Sequence, residues 1–217
     1  MTFKILPATL SDAEELGKMV LSVSTGARLT LEFKNVKRED FLDWNIKAVE
    51  AEVRACMESN GEAEALKVVD EESGEIAGYT VWGWGLEAIS KILRVKEDLP
   101  LPEGCNTTLR KTYLKLLNDM EAKHQPEGSF YELLELATSP KYQRRGIGSQ
   151  LVNYGLEKAV RDGKKVYLSA APKGVPIYTK LGFGEVGRLE FPLTGWGGEG
   201  VHVHVAMIQE PSVGDGK

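Results

Sequence analysis

Apolar residues recur along this chain with two periods, about two and about 3.6, and the switches between them mark its elements. Residues 3–7 form a short apolar run ending at Pro7, which predicts a strand. Leu16, Met19, Val20 and Val23 then share one helical face. Ser11-Asp12-Ala13-Glu14 suits a capping box at the start of that helix, and Gly26 marks its end. A second helix is expected from about Arg38 to the region of Met57, closed by Asn60-Gly61. Residues 65–70 and 76–84 read as a hairpin turning through Glu71-Glu72-Ser73-Gly74.

Residues 85–125 break this rhythm. Pro100 and Pro102 punctuate the stretch, and residues 108–123 suit a helix. It is too short for a core of its own and reads as an insertion within one domain spanning residues 1–210. Periodicity returns with a leucine-rich strand at 130–137. After Thr138-Ser139-Pro140 a helix is expected from about Gly146 to Arg161, with Ile147, Leu151, Val152, Leu156 and Ala159 on its apolar stripe. A strand at 166–170, a short helix at 175–181 with Pro176 near its start, and a hairpin of 185–191 with 201–208 complete the pattern. Residues 211–217 have the composition of a flexible tail.

These elements imply an α/β (α+β) fold: a mixed, mainly antiparallel sheet of six or seven strands flanked by helices. The strands at 130–137 and 166–170 are expected to be parallel neighbours, joined by a right-handed crossover through the helix between them.

Composition narrows the setting. Apolar residues make up 42% of the 217 and charged residues 27%, which suits a folded globular protein. The net charge of −5 offers no basic field for nucleic acid or anionic lipid. Two cysteines, Cys56 and Cys105, build no disulfide framework or zinc motif, so a reducing, cytoplasmic location is expected. No apolar run is long enough for a membrane span. His202 and His204 share a strand face, but no third metal ligand is evident, and no metal is expected.

The chemistry concentrates between residues 130 and 183. At the strand-to-helix junction, Gly146 and Gly148 let a bulky anion approach the backbone. The helix start there has unpaired N–H groups and partial positive charge, and Lys141, Arg144 and Arg145 add cations. A diphosphate fits this site. Neither GxxxxGK[ST] nor GxGxxG is present, which argues against a nucleotide-binding P-loop or dinucleotide fold.

The run Leu136-Ala137-Thr138-Ser139-Pro140-Lys141-Tyr142-Gln143-Arg144-Arg145-Gly146-Ile147-Gly148 resembles the [QR]-x-x-G-x-[GA] acetyl-CoA signature of the GNAT superfamily of N-acetyltransferases. A second run, residues 171–183, is similar to the family's Y-x-x-x-G-F segment, with Tyr178, Gly182 and Phe183 in place. The opening residues 6–13 are similar to its first strand and helix.

The resemblance implies central strands splayed around acetyl-CoA as cosubstrate. Gln143, Arg144, Arg145, Gly146, Ile147 and Gly148 would hold the pyrophosphate. Leu136, Ala137 and Thr138 would pair with the pantetheine arm. The Leu136 N–H would polarise the thioester carbonyl, and Tyr178 would protonate the leaving thiolate.

An amine acceptor must lose a proton before it attacks, and the strand carries two carboxylates for that task, Glu132 and Glu135. Glu132 matches the catalytic glutamate of the histone-acetylating branch in its position. Three residues apart, the two fall on opposite faces of a regular strand unless a bulge intervenes. The expected reaction is direct attack by a primary amine, on a small molecule or peptide, in a ternary complex. A non-catalytic acyl-CoA-binding module is the alternative.

Overall fold

The computed structural model describes residues 2–211, so the tail expected after Pro211 lies outside the described residues. Its core is one seven-stranded sheet: β1 (Phe3–Pro7), β2 (Ala63–Asp70), β3 (Ile76–Gly83), β4 (Tyr131–Thr138), β5 (Val166–Ala170), β6 (Gly184–Pro192) and β7 (Val201–Gln209). The order across the sheet is β1-β2-β3-β4-β5-β7-β6. Every pairing is antiparallel except β4 with β5, which is parallel. The expected mixed, mainly antiparallel sheet is therefore present, with the parallel pair at its centre.

Seven helices flank the sheet: α1 (Ala13–Val23), α2 (Ala27–Glu32), α3 (Arg38–Met57), α4 (Leu86–Glu97), α5 (Thr107–His124), α6 (Ile147–Arg161) and α7 (Val175–Lys180). α3 ends at Met57 with Glu58 as its cap, and Asn60 and Gly61, at positive φ of 54° and 83°, form the turn that follows rather than the cap itself. The start of α1 departs from expectation. A turn of 3-10 helix at Leu10–Asp12 precedes it. The reciprocal cap therefore forms two residues earlier, where the Thr9 N–H donates to the Asp12 carboxylate at 2.8 Å. Glu14 instead pairs with Lys18 one turn on, at 2.5 Å. Two helices, α2 and α4, were not expected from the pattern. The segment 85–125 thus supplies two helices, α4 and α5, rather than one.

The crossover helix α6 lies on β3 and β4 through its apolar stripe. Gly155 sets how closely it approaches. A Cβ there would sit 2.3 Å from the Trp82 ring, which is fully buried and donates from its indole N–H to the Leu151 carbonyl at 3.2 Å. Gly155→Val should therefore overpack this contact and cost about 2 kcal/mol or more. Urea denaturation checks this, and an unchanged midpoint would show that the ring can shift freely.

Candidate active site

The parallel pair opens partway along its length. Partners run from Tyr131 with Val166 to Leu133 with Leu168 and then stop, although β4 continues to Thr138. On its other side β4 stays bound to β3, but the register slips: Val81 faces Glu135, and Trp82 faces Leu133. Leu134 is the extra residue of a bulge.

Beyond the bulge, the Ser139 N–H donates to the Ala77 carbonyl, which makes that pair a hydrogen-bonded one. Alternation along an antiparallel ladder then makes Thr80 with Leu136 a non-bonded pair. The Leu136 N–H accordingly points away from β3, into the wedge where β5 has left.

A cavity of about 880 Å³ fills that wedge. Leu136, Ala137, Thr138, Gln143, Arg144, Gly146, Ile147 and Gly148 all line it, as the resemblance implied for a cofactor site. The loop that opens α6 is tightly wound: Arg144 and Gly146 both take positive φ, 64° and 83°. Tyr142 anchors it from behind. It is buried, and its hydroxyl donates to Glu75 at 2.7 Å in the turn between β2 and β3. Lys141 pairs with the same carboxylate at 2.6 Å, so its charge is spent there rather than on the cavity.

Arg145 does not line the cavity, and its guanidinium lies 5.4 Å from the centre of the Tyr142 ring. Two cations that sequence reasoning missed do line it, Lys173 and Lys180. They flank the second motif, and their basic character was the only available signal.

Tyr178 lines this cavity from α7 and is otherwise buried. Burial, and then the Glu135 carboxylate, push its phenol well above the usual range, so it remains a proton donor. Its ring packs edge-on against Phe183, with centroids 5.8 Å apart.

A second cavity, about 670 Å³, lies under α2, α3, α4 and α5. It meets the first at the splay, and Leu133, Leu134, Glu135, Ser169, Ala171 and His204 line both. Both candidate carboxylates, Glu132 and Glu135, face it, because the bulge at Leu134 restores the phase that a spacing of three would lose.

Their surroundings differ. Glu135 is ion-paired to Lys96 of α4 at 2.8 Å, and Lys96 also holds the buried Glu52 at 2.6 Å. Burial opposes the Lys96 charge, but the two carboxylates outweigh it and hold its pKa above the ordinary value. Glu132 has no cationic partner among the described residues. Its carboxylate accepts one long bond from Gln125 at 3.4 Å. Burial, and then the Glu121 charge, push its pKa up to about 8. Glu121 is itself raised, mainly by burial. The Tyr167 hydroxyl is buried without a hydrogen-bond partner among the described residues. Glu121 and Gln125 come from the segment 85–125, whose sequence carries no motif that could have marked them.

Residues 31–183 match the family model described as the acetyltransferase (GNAT) family. Several solved structures share the fold. One is the histone acetyltransferase HPA2 and related acetyltransferase from Corynebacterium glutamicum, with 18% identity, coverage of 99% of each chain and a TM-score of 0.58. Another is arylalkylamine N-acetyltransferase 2 from Aedes aegypti, with 14% identity, 98% of this chain and 100% of that one covered, and a TM-score of 0.59. A third is the PaiA N-acetyltransferase from Thermoplasma acidophilum in complex with coenzyme A, with 14% identity, coverage of 97% and 99%, and a TM-score of 0.52.

Proposed function

Because this chain belongs to the GNAT acetyltransferase family, we propose that it moves an acetyl group from acetyl-CoA to a primary amine by direct attack in a ternary complex. The observation that carries this reading is the meeting of two cavities at the open end of the β4–β5 pair. The α6 loop and its glycines line one, and a buried carboxylate without a cationic partner among the described residues lines the other. A thioester reaching through the first cavity and an amine in the second would meet at Leu136 and Glu135.

Each residue then has a task. Backbone N–H groups between Gln143 and Gly148 bind the pyrophosphate, and Lys173 and Lys180 add long-range attraction. Glu132, in its ionised form, takes the proton from the ammonium. The free amine adds to the thioester carbonyl, and the Leu136 N–H stabilises the oxyanion that forms. As the carbonyl re-forms, the carbon–sulfur bond breaks, Tyr178 gives its proton to the departing sulfur, and the phenolate left behind takes the second proton that the former amine nitrogen must shed. Glu135, paired with Lys96, is the weaker candidate for the base, since the lysine already neutralises it.

The test is a broad amine panel with detection of the free CoA thiol, beside calorimetry with acetyl-CoA and ATP. Binding of acetyl-CoA with turnover of at least one amine is expected. Binding without any turnover would favour a non-catalytic acyl-CoA module, and binding of ATP alone would sink the reading. Tyr178→Phe should lower kcat by about tenfold or more with little change in acetyl-CoA affinity. An unaltered rate would remove Tyr178 from the mechanism.

A further inference from the structure

The second cavity is electrically lopsided, and α5 runs along its length. Arg110, Tyr113, Leu117, Glu121 and Gln125 all face it from that helix. Arg110 and Glu121 are separated by eleven residues, which is about 16 Å of helix axis. The Glu121 end adjoins Glu132 and the splay. Leu114 and Leu117 line it between Arg110 and Glu121, and Leu29, Phe33 and Leu93 add apolar surface beside the polar Asn45, Arg94, Glu97 and Asn118.

At the Arg110 end sits a second arginine, Arg28 of α2. Both guanidiniums bond to one carboxylate, Glu32, which is 0% exposed. Arg110 reaches it at 2.7 Å. Both arginine side chains are themselves nearly covered, 15% and 12% exposed.

Two buried cations sharing one anion leave a net single positive charge, and such a charge is costly unless something answers it. Two aromatic ring faces answer it only in part. Arg28 lies 4.2 Å from the Tyr113 ring centre and Arg110 lies 5.2 Å from that of Trp44. The Arg28 Nε–H and the Trp44 indole N–H are buried without hydrogen-bond partners among the described residues. His202 and His204 line the wall that runs from Tyr113 to the splay. Burial is the main reason their pKa values fall to about 4, so both are neutral near pH 7.

We propose that the acceptor is an amine bearing a distal carboxylate across an apolar spacer, and that Arg28 and Arg110 bind that carboxylate. The inference rests on the acetyltransferase reading, which places the amine at the Glu132 end. A monoanion matches the single surplus charge, whereas a phosphate dianion would exceed it. Tyr113 stands between the two ends: Arg28 lies over its ring, and its hydroxyl meets His204, which lines both cavities, at 3.1 Å, so amine and carboxylate must stand further apart than in an α-amino acid.

The probes are matched pairs: ω-aminooctanoate against octylamine, and γ-aminobutyrate against butylamine. For the long pair, kcat/KM should favour the carboxylate by about tenfold or more, the scale of a charged hydrogen bond. The short pair should show no such preference, because its carboxylate cannot reach the arginines. Arg28→Met should collapse the ratio for the long pair towards one. Glu32→Gln should raise it, since it frees a second charge; a purely structural Arg–Glu–Arg pin would lose stability and leave the ratio alone.

Affinities of N-acetyl-ω-aminooctanoate and N-acetyloctylamine in the presence of CoA give the same comparison without turnover. If no amine is acetylated, they still decide the point. A wild-type ratio at or below one, or an Arg28→Met enzyme that keeps the preference, would overturn the proposal.

Discussion

Glu132→Gln should cost activity and add stability at the same time. As the proposed base, its loss should lower kcat/KM by about hundredfold or more. It should also remove the rise in kcat/KM that the wild type shows as pH climbs through about 8, where this carboxyl ionises.

Stability should move the other way. The folded-state pKa lies above the ordinary value of 4.5, so the folded chain binds this proton more tightly than the unfolded chain. The contribution of Glu132 to stability is therefore fully present below about pH 4.5 and is lost as pH rises towards 8. A neutral amide has no such loss, so the variant should exceed the wild type in urea midpoint at pH 8 and lose that advantage at pH 5. The gain is on the order of a few kcal/mol at most. Glu135→Gln is the matched comparison, and it should lower stability because it deprives Lys96 of a partner. A Glu132→Gln enzyme with wild-type rate and an unshifted profile would remove Glu132 from catalysis.

Replacing Gly148 by leucine should weaken acetyl-CoA binding by about hundredfold while leaving the fold nearly intact. A Cβ at this position would already lie 3.2 Å from the Ile177 Cδ1 and 3.7 Å from the Thr138 Oγ1, and all three residues line the cofactor cavity. Under the proposed role of the α6 loop, anything larger must occupy the space through which the diphosphate approaches the helix start. Packing suffers little because the extra atoms enter an open cavity, and leucine is the better helix former by about 1 kcal/mol.

Gly146 provides the contrast. Its φ of 83° strains any L-residue, yet no atom lies within 4 Å of a Cβ built there. Gly146→Ala should therefore cost about 1–2 kcal/mol of stability without blocking the cavity. Calorimetry and urea denaturation separate the two effects. Unchanged affinity in the leucine variant at position 148 would refute the phosphate role.

The elements from β4 onward, and the α6 loop among them, were legible from the chain. Their patterns are local: a leucine-rich run in β4, period 3.6 in α6, and glycine or proline at the boundaries. An anion site at a helix start is likewise a local object, because six adjacent residues supply its backbone and its glycines. The parallel pairing of β4 with β5 followed from the helix between them.

Other features depend on which elements pack together, and no local pattern encodes that. The six-residue α2 is too short to show a period; α4 contains no proline and carries an apolar stripe at Ala88, Ile89 and Ile92, so its period was present in the chain and was overlooked. The bulge at Leu134 exists only against β3, and it alone turns Glu132 and Glu135 into one cavity. The same holds for charge. Glu32 meets an arginine 78 positions away, and Lys96 meets Glu135 across 39. The donor side was thus written in contiguous residues. On the proposed acceptor side the sequence offered Glu132 and Glu135, and the tertiary structure decided the rest, because burial and charge balance there come from helices remote in sequence.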